Sequence, residues 1–161
     1  MDLATLMSQM PYARHLGIEV TAAEDGHAEG RLSFDDHHSS VPGGDVAHGA
    51  VVHGLADTVA GAAVISLHHR PTPTVDIRFD HLAPARGNLH AEADVRKDGD
   101  TVAVADVTVT HDDTLVAIAK GTFKTAGDAD GSAWSASQRL GEELDDETGT
   151  GFEDERGDDG D

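Results

Sequence analysis

Residues 47–67 read AHGAVVHGLADTVAGAAVISL, a run with no proline and one formal charge, Asp57. The run is too long for one strand, so a buried helix is expected, about 30 Å long at about 1.5 Å per residue. A helix of this length and composition also suits a bilayer. Here His48, His53, Asp57 and Thr58, the glycines Gly49, Gly54 and Gly61, and the lack of basic flanks argue instead for the core helix of a globular domain. Gly54 and Gly61 each weaken a helix by about 1 kcal/mol relative to alanine. Set among Ala50, Ala56, Ala60, Ala62 and Ala63, they imply close approach of other backbone from several sides.

Working outward, the period changes to two on both sides of this run. Upstream, Asp2 is placed to cap a short helix through Met10, ended by Pro11, with a turn over Tyr12–Leu16. Ile18, Val20 and Ala22 then alternate with polar residues, Asp25-Gly26 supplies a turn, and Ala28, Gly30, Leu32 and Phe34 alternate again, which predicts a hairpin. Residues 35–47, DDHHSSVPGGDVA, read as a loop. Downstream of Pro71 and Pro73, the rows Val75/Ile77/Phe79 and Leu89/Ala91/Ala93/Val95 predict one-sided strands. Turns at residues 97–100 and 111–113 lead into strands over 101–110 and 115–124. The expected order is a hairpin, one long apolar helix and a meander of four antiparallel strands. That is an α+β domain in which an antiparallel sheet wraps one long central helix, since nothing else is available to cover it.

Composition limits the partners. The chain has 161 residues, with 31 acids against 11 Lys plus Arg and a formal charge of −20. Phosphate backbones and anionic membranes would be repelled, so neither nucleic acid nor a membrane is an expected partner. Residues 1–126 hold 18 acids and 9 bases, whereas 127–161 hold 13 acids and 2 bases with little more than Trp134, Leu140, Leu144 and Phe152 as large apolar groups. The division expected is a folded domain over 1–126 and a disordered acidic tail over 127–161. Only three lysines occur, Lys97, Lys120 and Lys124, and dense carboxylate with scarce lysine suits a salt-loving source, where counterions screen self-repulsion. Cysteine is absent, which excludes disulfides, thiolate metal sites and a cysteine nucleophile. Met1–Pro11 has neither a basic nor an apolar leader segment, so a cytoplasmic protein is expected.

Asp57 is the residue that speaks most directly to chemistry. A lone carboxylate in a buried segment must be paired or hydrogen-bonded, and desolvation is expected to raise its pKa. Groups of this kind concentrate at functional sites, although His53, four residues earlier, is equally placed to satisfy it as a structural pair. Just upstream, Gly43-Gly44-Asp45-Val46-Ala47-His48-Gly49 runs from a flexible loop into the helix N-terminus, where free N–H groups favour an anion or a developing oxyanion. An oxyanion donor there and a carboxylate two turns along suit one acyl group.

The motif His48-Gly49, then Asp57 within LADT, then TVDIRF and LAPA at Leu82–Ala85, resembles the PaaI-like hotdog-fold acyl-CoA thioesterases across about residues 12–125. The resemblance implies a hotdog fold, a homodimer or homotetramer with each site between subunits, an acyl-CoA substrate and hydrolysis of its thioester. It makes Asp57 the base or nucleophile, the Gly49 N–H the donor to the carbonyl oxygen, His48 an orienting group beside it, and Thr74 a positioner of the attacking water. Two departures stand out. Ala50 replaces a usual second glycine, and Pro42 occupies the place of a usual asparagine, which leaves Ser39, Ser40 or the amides of Gly43 and Gly44 to orient the substrate. The phosphates of coenzyme A would fall to Arg70, Arg86, Lys97, Lys120 or Lys124, with Arg86 the first choice.

No cofactor is expected, because a thioester carbonyl needs only a positioned donor and a carboxylate acting on water. No metal is expected either. The other histidines, including the pairs His37-His38 and His68-His69, show no H-E-x-x-H or similar spacing, and His53 reads as a satisfied core histidine. The reading is therefore a thioesterase acting on a small or medium acyl-CoA, aryl groups included. A non-catalytic acyl-CoA-binding or regulatory protein on the same fold is the alternative, and a hotdog hydratase the third.

Overall fold

Asp2 caps the first helix, α1 (Leu3–Gln9), its side chain accepting from the Thr5 N–H at 2.7 Å. Pro11, expected to end that helix, instead opens a second one, α2 (Pro11–Leu16), because proline fits the first helical position where no N–H partner is needed. Gly17, at φ +67°, closes α2 and feeds β1 (Ile18–Glu24), which pairs with β2 (His27–Leu32) across Asp25-Gly26. The loop that follows contains one 3-10 turn, Asp36–His38.

The long helix, α3, spans Gly49–His68. It starts two residues later than the apolar run because His48 acts as N-cap, its Nδ1 accepting from the Ala50 N–H at 3.0 Å. By length and hydropathy α3 could cross a membrane, yet 67% of that window is buried inside the fold. The computed structural model describes residues 1–126. The acidic segment 127–161, with Trp134, lies outside the described residues, and so does the expectation made for it.

Four strands follow α3: β3 (Thr74–His81), β4 (Leu89–Asp98), β5 (Val102–His111) and β6 (Thr114–Lys124). They do not form the four-strand meander read from the sequence. The antiparallel sheet has the order β1-β2-β4-β5-β6-β3, so β3 sits at the far edge on β6 and β4 pairs with β2. The helix exit explains this. His69 caps α3 in the left-handed region, φ 50°, and the next residues run beside the end of β6, where Lys124 N donates to Pro73 O at 2.9 Å and Arg70 donates to the Thr125 carbonyl. Pairing begins there, at Thr74 opposite Phe123. Residues 82–88 then carry the chain back past the start of α3, where Ala47 N donates to Ala85 O at 2.8 Å.

The sheet can wrap the helix closely because its inner layer is small. Ala28, Ala91, Ala93, Ala103 and Ala105 are fully buried there, facing Leu55, Val59 and Ala63 of α3. The helix glycines behave differently from the expectation. A Cβ at Gly54 would meet side chains, Leu16 Cδ1 at 3.0 Å and the Tyr12 hydroxyl at 3.1 Å, so Gly54 makes room for α2 rather than for backbone. Gly61 has only Phe123 nearby, at 3.9 Å. The second strand of the meander reading, β4, is one-sided as expected, with Leu89, Ala91 and Ala93 buried. The row on β3 is not: Val75 is exposed, because a bulge between Thr74 and Asp76 takes it out of the row, and Ile77 and Phe79 are only partly covered on this edge strand.

Candidate active site

The site forms where the loop 39–48, the exposed stripe of α3 and the edge strand β3 meet. On α3, Ala50, His53 and Asp57 follow at spacings of three and four and share one face. Asp57 is half-buried rather than enclosed. Its partner is not His53. Thr74, at the start of β3, donates from Oγ1 to Asp57 Oδ1 at 2.9 Å, and Oδ2 has no hydrogen bond among the described residues.

His53 corrects a second expectation. Its ring meets Phe79 edge-on at 5.4 Å, and its Nε2 is buried without a hydrogen-bond partner among the described residues, so the chain by itself does not satisfy this histidine. Phe79 in turn lies 4.6 Å from the ring of His81. His81 reaches the start of α3, since a Cβ at Gly49 would sit 3.1 Å from its Nε2. His81 escaped the sequence reading. The signal was available, because the alternation Val75, Ile77, Phe79 extends by one step to His81 and puts it on the helix-facing row.

At the helix N-terminus the donors sort themselves. Ala50 N–H is taken by His48 Nδ1, and Val51 and Val52 N–H by His48 O, which leaves the Gly49 N–H without a partner among the described residues. His48 therefore orients this turn, and with Nδ1 accepting, the ring proton belongs on the exposed Nε2. Buried His38 anchors the same turn: its carbonyl accepts from His48 N at 2.8 Å, its Nδ1 accepts from Asp35 N at 2.9 Å, and burial, with His37 adding, pushes its pKa down.

The groups offered as replacements for the asparagine at Pro42 are mostly occupied. Ser39 Oγ donates to Val41 O, Ser40 Oγ to Val46 O, and Gly44 N–H to Val41 O at 3.0 Å. Only the Gly43 amide, in an exposed turn with φ +70°, has no partner among the described residues. Arg86 lies beside this loop but is held by Asp45, Nη1 to Oδ1 at 2.5 Å. Lys120 sits across the sheet near Asp106, at 3.7 Å, away from the stripe on α3.

Helix geometry bears on the expectation that Gly49 and Asp57 serve one acyl group. Gly49 and Asp57 are eight residues apart on one helix, which means about 12 Å along the axis and about 80° around it. That separation is wide for one acyl group bound within a single chain.

A family model described as the thioesterase superfamily matches residues 44–118. A predicted esterase of Halobacterium salinarum is 34% identical over 125 residues, covering 70% of this chain and 83% of that protein. A medium/long-chain acyl-CoA thioesterase of Salmonella typhimurium is 30% identical over 133 residues, covering 71% of this chain and 84% of that one. The E. coli PaaI protein from the phenylacetic acid degradation operon superposes with a TM-score of 0.67 at 23% identity, covering 78% of this chain and 97% of that one, a likeness of fold.

Proposed function

The chain belongs to the thioesterase superfamily as a PaaI-like hotdog-fold thioester hydrolase, and from that premise we propose that it hydrolyses small or medium acyl-CoAs, aryl groups included, at sites shared between two copies. The observation that carries the reading is the half-buried Asp57 carboxylate, oriented by Thr74, on the same helix as the free Gly49 N–H but about 12 Å from it. One protomer supplies Gly49 and its partner supplies Asp57.

The chemistry then follows. The substrate carbonyl oxygen accepts from the Gly49 N–H, next to a helix N-terminus whose dipole favours the charge that develops. Asp57 takes a proton from water through the free Oδ2, and the hydroxide adds to the carbonyl carbon. Collapse of the tetrahedral intermediate breaks the C–S bond, and the coenzyme A thiolate leaves with the proton returned from Asp57. Thr74 acts as a positioning residue, since its hydroxyl fixes the carboxylate without reaching the reacting carbon. The Gly43 amide and Arg86, once released from Asp45, are the contacts we assign to the substrate carbonyl side and to the coenzyme A phosphates. The active unit is a cytoplasmic homo-oligomer. The edge of β3 supports this, with unpaired backbone groups and Val75 62% exposed beside the stripe that carries Asp57.

The test is subunit complementation, read as coenzyme A release from an acyl-CoA panel in molar KCl. Asp57→Asn should lose about 10²–10⁴ in kcat. Gly49→Pro removes the N–H at a first helical position preceded by an extended residue, where the backbone suits proline and the His81 ring must give by a few tenths of an ångström, and should lose about 10²–10³. Mixing the two unfolded chains and refolding them together should restore about a quarter of wild-type turnover, because half of the dimers are mixed and each has one intact site. No restoration sinks the shared site. Acyl-CoA binding by the wild type without any turnover would leave only a binding protein.

A further inference from the structure

The outer face of the sheet, opposite α3, holds a cluster that the thioesterase reading does not use. Register places Glu29 of β2 directly opposite Glu92 of β4, with His27 opposite Asp94 and Arg31 opposite His90 on the same face. Like charges facing each other across antiparallel strands are destabilising, which a cation between them offsets. The nearest guanidinium does not. Arg31 is committed to Glu19, with contacts of 2.9 and 3.0 Å, and Arg96 is committed to Asp106 at 3.0 Å. Glu92 has no ion pair among the described residues. Two imidazoles do converge on Glu29, His27 Nε2 at 3.4 Å from Oε1 and His90 Nε2 at 3.5 Å from Oε2.

We propose that His27, Glu29 and Glu92, with His90 at the margin, form a binding site for one divalent transition-metal ion that ties β2 to β4. Ligand atoms of the first three lie within 4.8 Å of one another, a span that side-chain rotation closes to zinc bond lengths of about 2.0–2.2 Å. A mixed imidazole and carboxylate set favours zinc over calcium or magnesium, which prefer oxygen throughout. The arrangement behind His27 has the form that metal-binding histidines use. Its Nδ1 is held by Asp94 Oδ1 at 2.9 Å, which fixes the ring and turns Nε2 toward the two glutamates. All the ligands sit on adjacent strands of a continuous sheet, which preorganises them. The sequence offered no such hint, because the ligands pair by strand register across about sixty residues and not by local spacing.

The experiment uses the full chain, stripped with EDTA, with ZnCl₂ as the probe in molar KCl, followed by calorimetry and metal analysis. One zinc per chain is expected, together with a rise in Tm. His27→Gln and Glu92→Gln should each weaken binding at least tenfold, and Asp94→Asn should weaken it less, as a positioning residue. Glu92→Gln should also raise the Tm of the metal-free protein, since it removes the repulsion with Glu29. His111→Gln, whose ring bonds the Asn88 carbonyl elsewhere, should bind zinc as the wild type does. Absence of saturable binding overturns the proposal, and so does equal binding by His27→Gln and Glu92→Gln, which would place zinc on other histidines.

Discussion

Thr74 Oγ1 and Asp57 Oδ1 stand 2.9 Å apart, joining the first residue of the edge strand to the middle of the central helix. The bond fixes one carboxylate oxygen and leaves the other open. Hydrogen bonds to charged groups contribute about 1.5–3 kcal/mol. Thr74→Val should therefore lower kcat by about 10- to 100-fold with little change in KM, and Thr74→Ser should recover most of it. A Thr74→Val enzyme with wild-type kcat would mean that the carboxylate orients itself.

The edge of β3 is expected to be the seam between copies. Val75 is exposed next to the partly covered Ile77 and Phe79, and a charge there would be buried by any strand added to that edge. Val75→Asp should dissociate the oligomer in light scattering with size exclusion and lose turnover in parallel. An assembled and fully active Val75→Asp protein would put the seam elsewhere.

Gly30 decides how closely the helix lies on the sheet. A methyl group at this position would fall 2.6 Å from Val59 Cγ2 and 3.3 Å from the Glu19 carbonyl oxygen. Gly30→Ala should lose about 1–3 kcal/mol of stability in denaturant titration. Adding Val59→Ala should recover part of that loss, a coupling that independent sites would not show.

Buried His38 makes the loop ahead of the site acid-sensitive. Burial lowers its pKa below the ordinary 6.5, so above that pH it is neutral folded or unfolded and stability does not depend on it. As pH falls below 6.5 the unfolded chain takes up a proton that the folded one resists, and stability is lost progressively toward the lowered folded-state pKa. Thermal melts from pH 8 to 5 at constant salt should show this decline, and His38→Gln should flatten it. His37, Asp35 and His15 are the charged neighbours that tune the midpoint.

A formal charge of −20 on 161 residues predicts salt dependence. In molar KCl the screening length shrinks to about 3 Å, against about 30 Å at 0.01 M, so Tm should climb with KCl. An uncharged osmolyte at equal osmolality should not substitute. A Tm indifferent to salt would remove the salt-loving reading.

Local chemistry sufficed for much of this molecule. The apolar run 47–67 specified a buried helix, period-two alternation specified the strands, and Asp25-Gly26 specified the first turn, because each depends on neighbours in the chain. Asp57 stood out for the same reason, as one charge in an apolar run, and the motif around it pointed to its family. What sequence could not set was which strand lies beside which. That depended on where α3 releases the chain, next to the end of β6, which moved β3 to the edge of the sheet. Tertiary structure likewise decided that Thr74 rather than His53 holds Asp57, that His81 covers Gly49, and that Glu29 faces Glu92. These contacts join residues far apart in the chain, and their energies come from packing and register, quantities that local spacing does not encode. The helix rise of about 1.5 Å per residue joins the two levels, since it alone places Gly49 and Asp57 about 12 Å apart along α3, the separation on which the proposed shared site rests.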